Sequence, residues 1–338
     1  MHSIHILNID SDYALASGRR YYTPPAHISM LKRSLQLLPA LYAAPGDIIV
    51  VNDLKDVSDE ALSNMIEVSG APAPDNISLN SLVNRNISFI GLDDLGNNDR
   101  FWKSHIPDPW GWNLSIRQFF LDVSGGNAII PSEERIEKLR DLSHRRTSIR
   151  ILSYLPIQFR ENIVLPEEIT DAGIAVKAFQ SGGPLYFKAP WSSSGRGVME
   201  TTGLEQMHVE PWIRGIIRRQ GSVMMEKAYE RALDFATEWM CSNGSASYLG
   251  VSVFKTSRRG KYHGNMKDTQ EELTALIDSH INVSLKEVIN AQKEALETIV
   301  CPDYDGPAGI DMLATPGGDI NPCVEINLRH TMGMIGLL

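Results

Sequence analysis

Cysteine is scarce in this chain: Cys241, Cys301 and Cys323 are the only three in 338 residues, widely spaced and without a CxxC pair. Neither a disulfide framework nor a structural zinc site is therefore expected, and a reducing compartment suits the chain better. No apolar run approaches the roughly 18 residues of a membrane span, and no repeat with a period of roughly 20 to 50 residues is visible. Positive charge is in deficit, with 32 Lys and Arg against 41 Asp and Glu, a net charge of −9. Such a field repels phosphate backbones and anionic membranes, so neither nucleic acid nor membrane is an expected partner, and any nucleotide site must be built locally. The chain opens without a basic stretch followed by an apolar core, which predicts a cytoplasmic protein. Two nucleotide fingerprints are also missing. No GxGxxG follows a candidate strand, and GxxxxGK(S/T) does not occur.

What remains is an ordinary folded composition, 43% hydrophobic and 22% charged, able to bury a sizeable core. At roughly 150 residues per domain the length predicts two domains or one enlarged domain. The first hundred residues alternate apolar strands (Ile4–Ile9, Asp47–Asn52, Ile87–Leu92) with helices (Ile28–Tyr42, Ser58–Val68), a βαβαβ rhythm. Asp10 and Asp12, and Asn52 and Asp53, follow strand ends, where they either line a ligand pocket or only terminate strands and cap helices. Residues 101–130 read as a tryptophan-rich, irregular connector containing a helix over Leu114–Val123. Ser132 reads as the cap of a helix that ends in Arg140, His144, Arg145 and Arg146, a basic cluster expected to be solvated. Ser284 to Glu287 read as a capping box opening an amphipathic helix that packs on a sheet.

Three segments carry chemistry. In the first, a strand ends at Lys188 and runs into Ser192-Ser193-Ser194-Gly195-Arg196-Gly197, where small residues leave backbone N–H groups free to surround phosphate oxygens. In the second, the strand at Ser222–Glu226 leads through Lys227 and Ala228 to a further strand carrying Asp234, so that free backbone groups can meet an adenine edge. The third is a hairpin about Thr315-Pro316-Gly317-Gly318-Asp319 that sets Asp311 nearly opposite Glu325, with Asn327 and Arg329 on the same face by the two-residue period. Opposed carboxylates repel unless a cation joins them, and an all-oxygen set suits Mg²⁺ or Mn²⁺.

Taken in this order, the three segments resemble the ATP-grasp superfamily over about residues 150–338. The resemblance implies a fold of mixed class, α/β and α+β, in which a Rossmann-like N-terminal domain precedes a two-subdomain ATP-grasp fold. Residues 1–125 would form a pre-ATP-grasp-like α/β domain and 126–150 a helical connector, followed by subdomain A over 151–225 and subdomain B over 226–338. By the same resemblance Lys188, Ser192, Ser193, Ser194, Gly195, Arg196 and Gly197 would hold the phosphates of ATP. Glu226, Lys227 and Ala228 would read adenine, and Asp234 the ribose in competition with Glu230 and Glu238. Asp311, Glu325 and Asn327 would bind the metal, and Arg329 would act with Lys188 on the transferred phosphate or the substrate carboxylate. Lys255, Arg258, Asn265 and Lys267 lie where the family draws a further phosphate ligand. Family members generally run on past the asparagine-arginine segment to complete the acceptor pocket, whereas this sequence stops at Leu338. The implied activity is ligation of a small-molecule carboxylate to an amine or thiol through an acyl phosphate, with a homodimer allowed. A phosphotransferase and a non-catalytic nucleotide-binding module are the alternatives.

Overall fold

The polypeptide opens with β1 (His2–Ile6), and the described residues of the computed structural model are 1–71, 77–192, 197–256 and 262–338. The chain divides into two units, Met1–Arg140 with Leu338, and Asp141–Leu337.

In the first unit β1 is joined by β2 (Ile48–Val51), β3 (Ser88–Gly91) and β4 (His105–Pro109) in a parallel sheet of order β3-β2-β1-β4. The unbroken apolar run of β2, Ile48-Ile49-Val50-Val51, is what a strand covered on both faces requires. The connecting helix Asp59–Ser69 begins where Ser58 accepts the Ala61 N–H and ends at Gly70, whose φ of 64° suits glycine. Two elements differ from the sequence expectation. The stretch expected as an irregular connector contains β4, which pairs with β1, and Trp102 is wholly buried in the core beside Phe120. Pro107 and Pro109 argue against a central strand, but β4 lies at the sheet edge, where a missing N–H costs no ladder bond. The helix expected over Ile28–Tyr42 is instead Ala26–Leu35 followed by a 3₁₀ turn at Leu38–Leu41, because Pro39 has no N–H with which to continue the α ladder.

The second unit holds two antiparallel sheets. The first has the order β5-β8-β6-β7, from β5 (Glu167–Ile169), β6 (Leu185–Lys188), β7 (Val198–Glu200) and β8 (Val223–Lys227). The helices Ala172–Gln180 and Gln206–Gln220 cover it, burying Phe187, Val209, Ile213 and Val223 in one core. The second sheet has the order β11-β10-β9-β12-β13, from β9 (Leu233–Ser242), β10 (Ser245–Thr256), β11 (Tyr262–Asn265), β12 (Gly306–Ala314) and β13 (Ile320–Asn327). The helix Leu285–Ile299 packs on β10 through a buried stripe that includes Leu285, Val288 and Leu296. Ser284 stands at the start of that helix, but its side chain caps nothing. The Leu285 N–H is taken instead by the Asp278 carboxylate at 3.2 Å. The capping box belongs to the preceding helix, where Thr269 and Glu272 bond reciprocally. Among the described residues no helix is long and apolar enough to cross a membrane.

Candidate functional site

Lys188 closes β6 with its ammonium buried, and a buried charge needs a partner. The partner is Glu226 on β8, whose Oε2 lies 2.5 Å from Lys188 Nζ. The register of β6 against β8 sets Tyr186 opposite Glu226 and Lys188 opposite Met224, so the pair is a diagonal contact across the sheet. Two residues assigned from sequence to different parts of a nucleotide thus touch one another.

Beyond Lys188 the chain closes on itself: the Ala189 N–H donates to the Gly197 carbonyl at 2.7 Å. Gly197 has φ of 76°, and a Cβ there would stand 2.8 Å from the Ser192 Cβ, so only glycine fits the loop base. Ser193, Ser194, Gly195 and Arg196 lie outside the described residues. At the other edge Ala228 donates its N–H to the Pro184 carbonyl at 2.9 Å, and Lys227 Nζ lies 5.1 Å above the Tyr229 ring. Ala228 and Asp234 line a cavity of about 770 Å³ together with Tyr186, Glu200, Arg231 and Lys255. Arg231 Nη1 donates to Asp234 Oδ1 at 3.2 Å. Glu230 lines this cavity too, whereas Glu238 is buried elsewhere, accepting hydrogen bonds from the Thr331 and Ser252 hydroxyls at 2.8 and 3.1 Å. Burial pushes the Glu238 carboxyl up to about 7. Of the remaining phosphate candidates, Asn265 donates to the Met332 carbonyl, Lys267 is exposed, and Arg258 lies outside the described residues.

The hairpin of β12 and β13 sets Asp311 directly opposite Glu325. A register shift between Asp311 and Leu313 accommodates Pro322, and such bulges re-aim the side chains beside them. Asn327 Nδ2 donates to Asp311 Oδ2 at 3.2 Å, and Arg329 Nη2 donates to Asn327 Oδ1 at 2.9 Å, so Asp311, Asn327 and Arg329 form one chain of contacts. Burial first, then repulsion from Glu325 and Glu238, pushes the Asp311 carboxyl up to about 8. Among the described residues no three His, Cys, Asp or Glu side chains converge on a metal position. Two opposed carboxylates and an amide are the hard-oxygen chemistry that suits a magnesium-like cation.

Sequence reasoning passed over Arg145, which it grouped with a solvated basic cluster. Arg145 is 5% exposed. Its Nε donates to the Ala189 carbonyl at 3.0 Å, its Nη2 to Ser192 Oγ at 3.1 Å, and its Nη1 lies 2.7 Å from Glu325 Oε2. One guanidinium therefore ties the base of the Ser192–Gly197 loop to the carboxylate hairpin. His144 is buried as well, 3.3 Å from Glu168 and edge-on to Trp191. Tyr186 and Glu200 line the cavity that Ala228 and Asp234 share, and neither was singled out from the sequence. The two-residue period back from Lys188 marks Tyr186, and Glu200 pairs with it across β6 and β7.

No protein-family model matches the sequence, and no curated protein matches it. Solved structures do share the fold. Biotin carboxylase of Campylobacter jejuni, in a β,γ-ATP complex, aligns at a TM-score of 0.52 and 16% identity over 98% of this chain and 66% of that one. The biotin carboxylase domain of Hydrogenobacter thermophilus 2-oxoglutarate carboxylase, a dimer with MgADP and bicarbonate, aligns at 0.50 and 14% identity over 98% of this chain and 64% of that one. N5-carboxyaminoimidazole synthetase of Staphylococcus aureus, complexed with ADP, aligns at 0.50 and 12% identity over 98% and 71%. The chain thus spans about two thirds of the length of these structures. These neighbours are ATP-grasp enzymes, and the two antiparallel sheets with their buried lysine and carboxylate hairpin belong to a chain that has the ATP-grasp fold.

Proposed function

We propose that this protein is an ATP- and Mg²⁺-dependent ligase that joins a small-molecule carboxylate to an amine or thiol. A substrate carboxylate oxygen attacks the γ-phosphorus, the bond to the β,γ-bridging oxygen breaks, and ADP leaves. The resulting acyl phosphate is then attacked at its carbonyl carbon by the amine or thiol, which loses a proton as phosphate departs. Positioning and charge neutralisation supply most of such catalysis.

In this reading Lys188 and the loop from Ser192 to Gly197, including Ser193, Ser194, Gly195 and Arg196, hold phosphate. Glu226, Lys227 and Ala228 meet adenine, and Asp234 the ribose. Asp311, Glu325 and Asn327 hold the divalent cation, Mg²⁺ or Mn²⁺, which would neutralise phosphate oxygens. Arg329 faces the transferred group. The observation that carries the proposal is Arg145, which binds the loop base and Glu325 at once and so brings phosphate-binding and cation-binding segments within the reach of one side chain. A net charge of −9 supports small-molecule partners over nucleic acid or a membrane surface, and a cytoplasmic homodimer is part of the same reading.

The test is ADP release from Mg-ATP across a panel of amino acids, dipeptides and small acids with amine and thiol acceptors, with mass spectrometry of the products. Release that depends on both a carboxylate and an acceptor, with a condensed product, supports ligation. A stable phosphorylated acid without condensation makes the protein a phosphotransferase, and nucleotide binding without ADP release across the panel makes it a binding module.

A further inference from the structure

The first unit contains a cavity of about 230 Å³ at the carboxyl ends of β1 and β2, between the segment Ile6–Asp10 and the segment Val50–Asn52. From β1 the sheet runs to β2 and β3 on one side and to β4 on the other, and open parallel sheets bind ligands beyond the carboxyl ends of their strands at such a reversal. The walls are apolar, built by Ile6, Val50, Leu92, Ile116 and Phe119.

Most polar groups at the rim are occupied. Both amide atoms of Asn8 bond to Gly111, the Asn113 oxygen accepts the Ser115 and Ile116 N–H groups, and the Gln36 oxygen accepts the Asn52 N–H. Asp10 is different. It is 7% exposed, and its Oδ1 is buried without a hydrogen-bond partner. Its side chain makes no cap bond to the helix Ser11–Ser17 that follows it. Lys32 lines the same cavity, half-buried, and takes part in no ion pair among the described residues. A buried carboxylate oxygen left without a hydrogen bond is costly, and an ammonium placed against it makes the strongest kind of hydrogen bond available.

We propose that this cavity binds an α-amino acid with an apolar side chain, Asp10 taking the ammonium, Lys32 the carboxylate and the apolar walls the side chain. The volume lies below the roughly 300–1,000 Å³ of pockets for drug-sized ligands, which limits the occupant to metabolite size. An inorganic cation would want several converging oxygen donors, and Asp10 is the one carboxylate in the lining. A polyamine would be repelled by Lys32.

The experiment is calorimetric titration of the full chain without nucleotide, so that its outcome is separate from that of the ligase reaction. The probes are L-leucine, L-methionine and L-phenylalanine. Isopentylamine and 4-methylpentanoate, leucine without its carboxylate and without its ammonium, are the controls. Saturable leucine binding is expected, with shifts of the Ile6 and Ile116 methyl resonances. Asp10→Asn should weaken it at least tenfold, and Lys32→Met should weaken leucine while leaving isopentylamine unchanged or bound more tightly. No saturable binding of any of the three amino acids overturns the proposal. So do equal affinities for leucine and 4-methylpentanoate, methyl shifts absent from Ile6 and Ile116, or a folded Asp10→Asn variant that binds leucine as the wild type does. Should Asp10→Asn fail to fold, the Lys32→Met comparison decides, since that helix-surface change leaves the core intact. Leucine and isopentylamine both unaffected there would sink the assignment.

Discussion

Arg145 Nη1 lies 2.7 Å from Glu325 Oε2, a contact between residues 180 positions apart in sequence, with the guanidinium 5% and the carboxylate 21% exposed. The carboxylate expected to serve a cation is thus also the counter-charge of a buried arginine. Asp311, directly opposite, accepts a hydrogen bond from the Asn327 amide at 3.2 Å and is pushed up by burial and by Glu325 against the pull of Arg329. The two members of the hairpin pair are therefore inequivalent.

Removing one partner of a buried pair leaves a charge stranded, at about 3–5 kcal/mol. Arg145→Met should accordingly lower the melting temperature of the apo protein markedly, and Glu325→Gln should lower it in the same direction. Asp311→Asn, which relieves repulsion, should leave it equal or higher. Thermal melts of the three variants check the order. A Glu325→Gln variant more stable than wild type would contradict the Arg145 contact.

Lys188 and Glu226 form a second buried pair, and the same reasoning predicts that Lys188→Met or Glu226→Gln alone costs about 3–5 kcal/mol. The double variant should recover much of that loss, because no charge is then left unpaired. ATP affinity should not recover with it: loss of a charge-assisted hydrogen bond to phosphate weakens binding by about 1.5–3 kcal/mol, roughly ten- to a hundredfold. A double variant that is stable and still binds ATP normally would remove Lys188 from the nucleotide site.

Gly197→Ala should be harmful beyond its size. An L-residue at φ of 76° costs roughly 1–2 kcal/mol, and the new Cβ would meet Ser192 Cβ at 2.8 Å, disturbing the hydroxyl that Arg145 holds. Melting and ATP affinity should both fall. Unchanged ATP affinity would show that the loop base does not shape the phosphate site.

In the first unit, burial alone would lower the pKa of His5, but the carboxylates of Asp108 and Asp47, 3.2 and 3.0 Å away, outweigh it and hold the pKa above the ordinary value. A histidine raised in the folded state stabilises fully below its unfolded pKa, and this contribution is lost as pH rises through the folded value. Asp47, held below the usual carboxylate range despite burial by His5 and the Ser3 and Ala44 N–H groups, contributes above its unfolded pKa and is lost in acid. Wild-type melting temperature should therefore fall as pH climbs from about 6.5 upward, and His5→Gln should flatten that slope. A slope unchanged in a folded His5→Gln variant would remove His5 as its source.

Local pattern was enough for the elements whose cause is local. The apolar run of β2, the cap at Ser58 and the turn through Gly318 all depend on neighbouring residues. The pairing of Asp311 with Glu325 needs more than that turn: the register of Ala314 with Ile320 and Leu313 with Asn321 would carry Asp311 to Cys323, and the shift between Asp311 and Leu313 moves it to Glu325. The edge position of β4 was not legible, because tolerance of Pro107 and Pro109 depends on which strands flank it. The reading of Ser284 failed for a similar reason: Asp278, on the helix before, supplies the bond that a capping side chain would have made. Above all, sequence determined that a strand-ending lysine, the segment Glu226–Ala228 and a pair of carboxylates follow one another in this order, while only the tertiary structure decided that Lys188 is buried, that Glu226 neutralises it and that Arg145 neutralises Glu325. Periodicity along a chain registers which face a residue occupies. The choice of counter-charge for a buried ion is made by whichever group the packing of distant elements brings within hydrogen-bonding distance, and no local pattern encodes that distance.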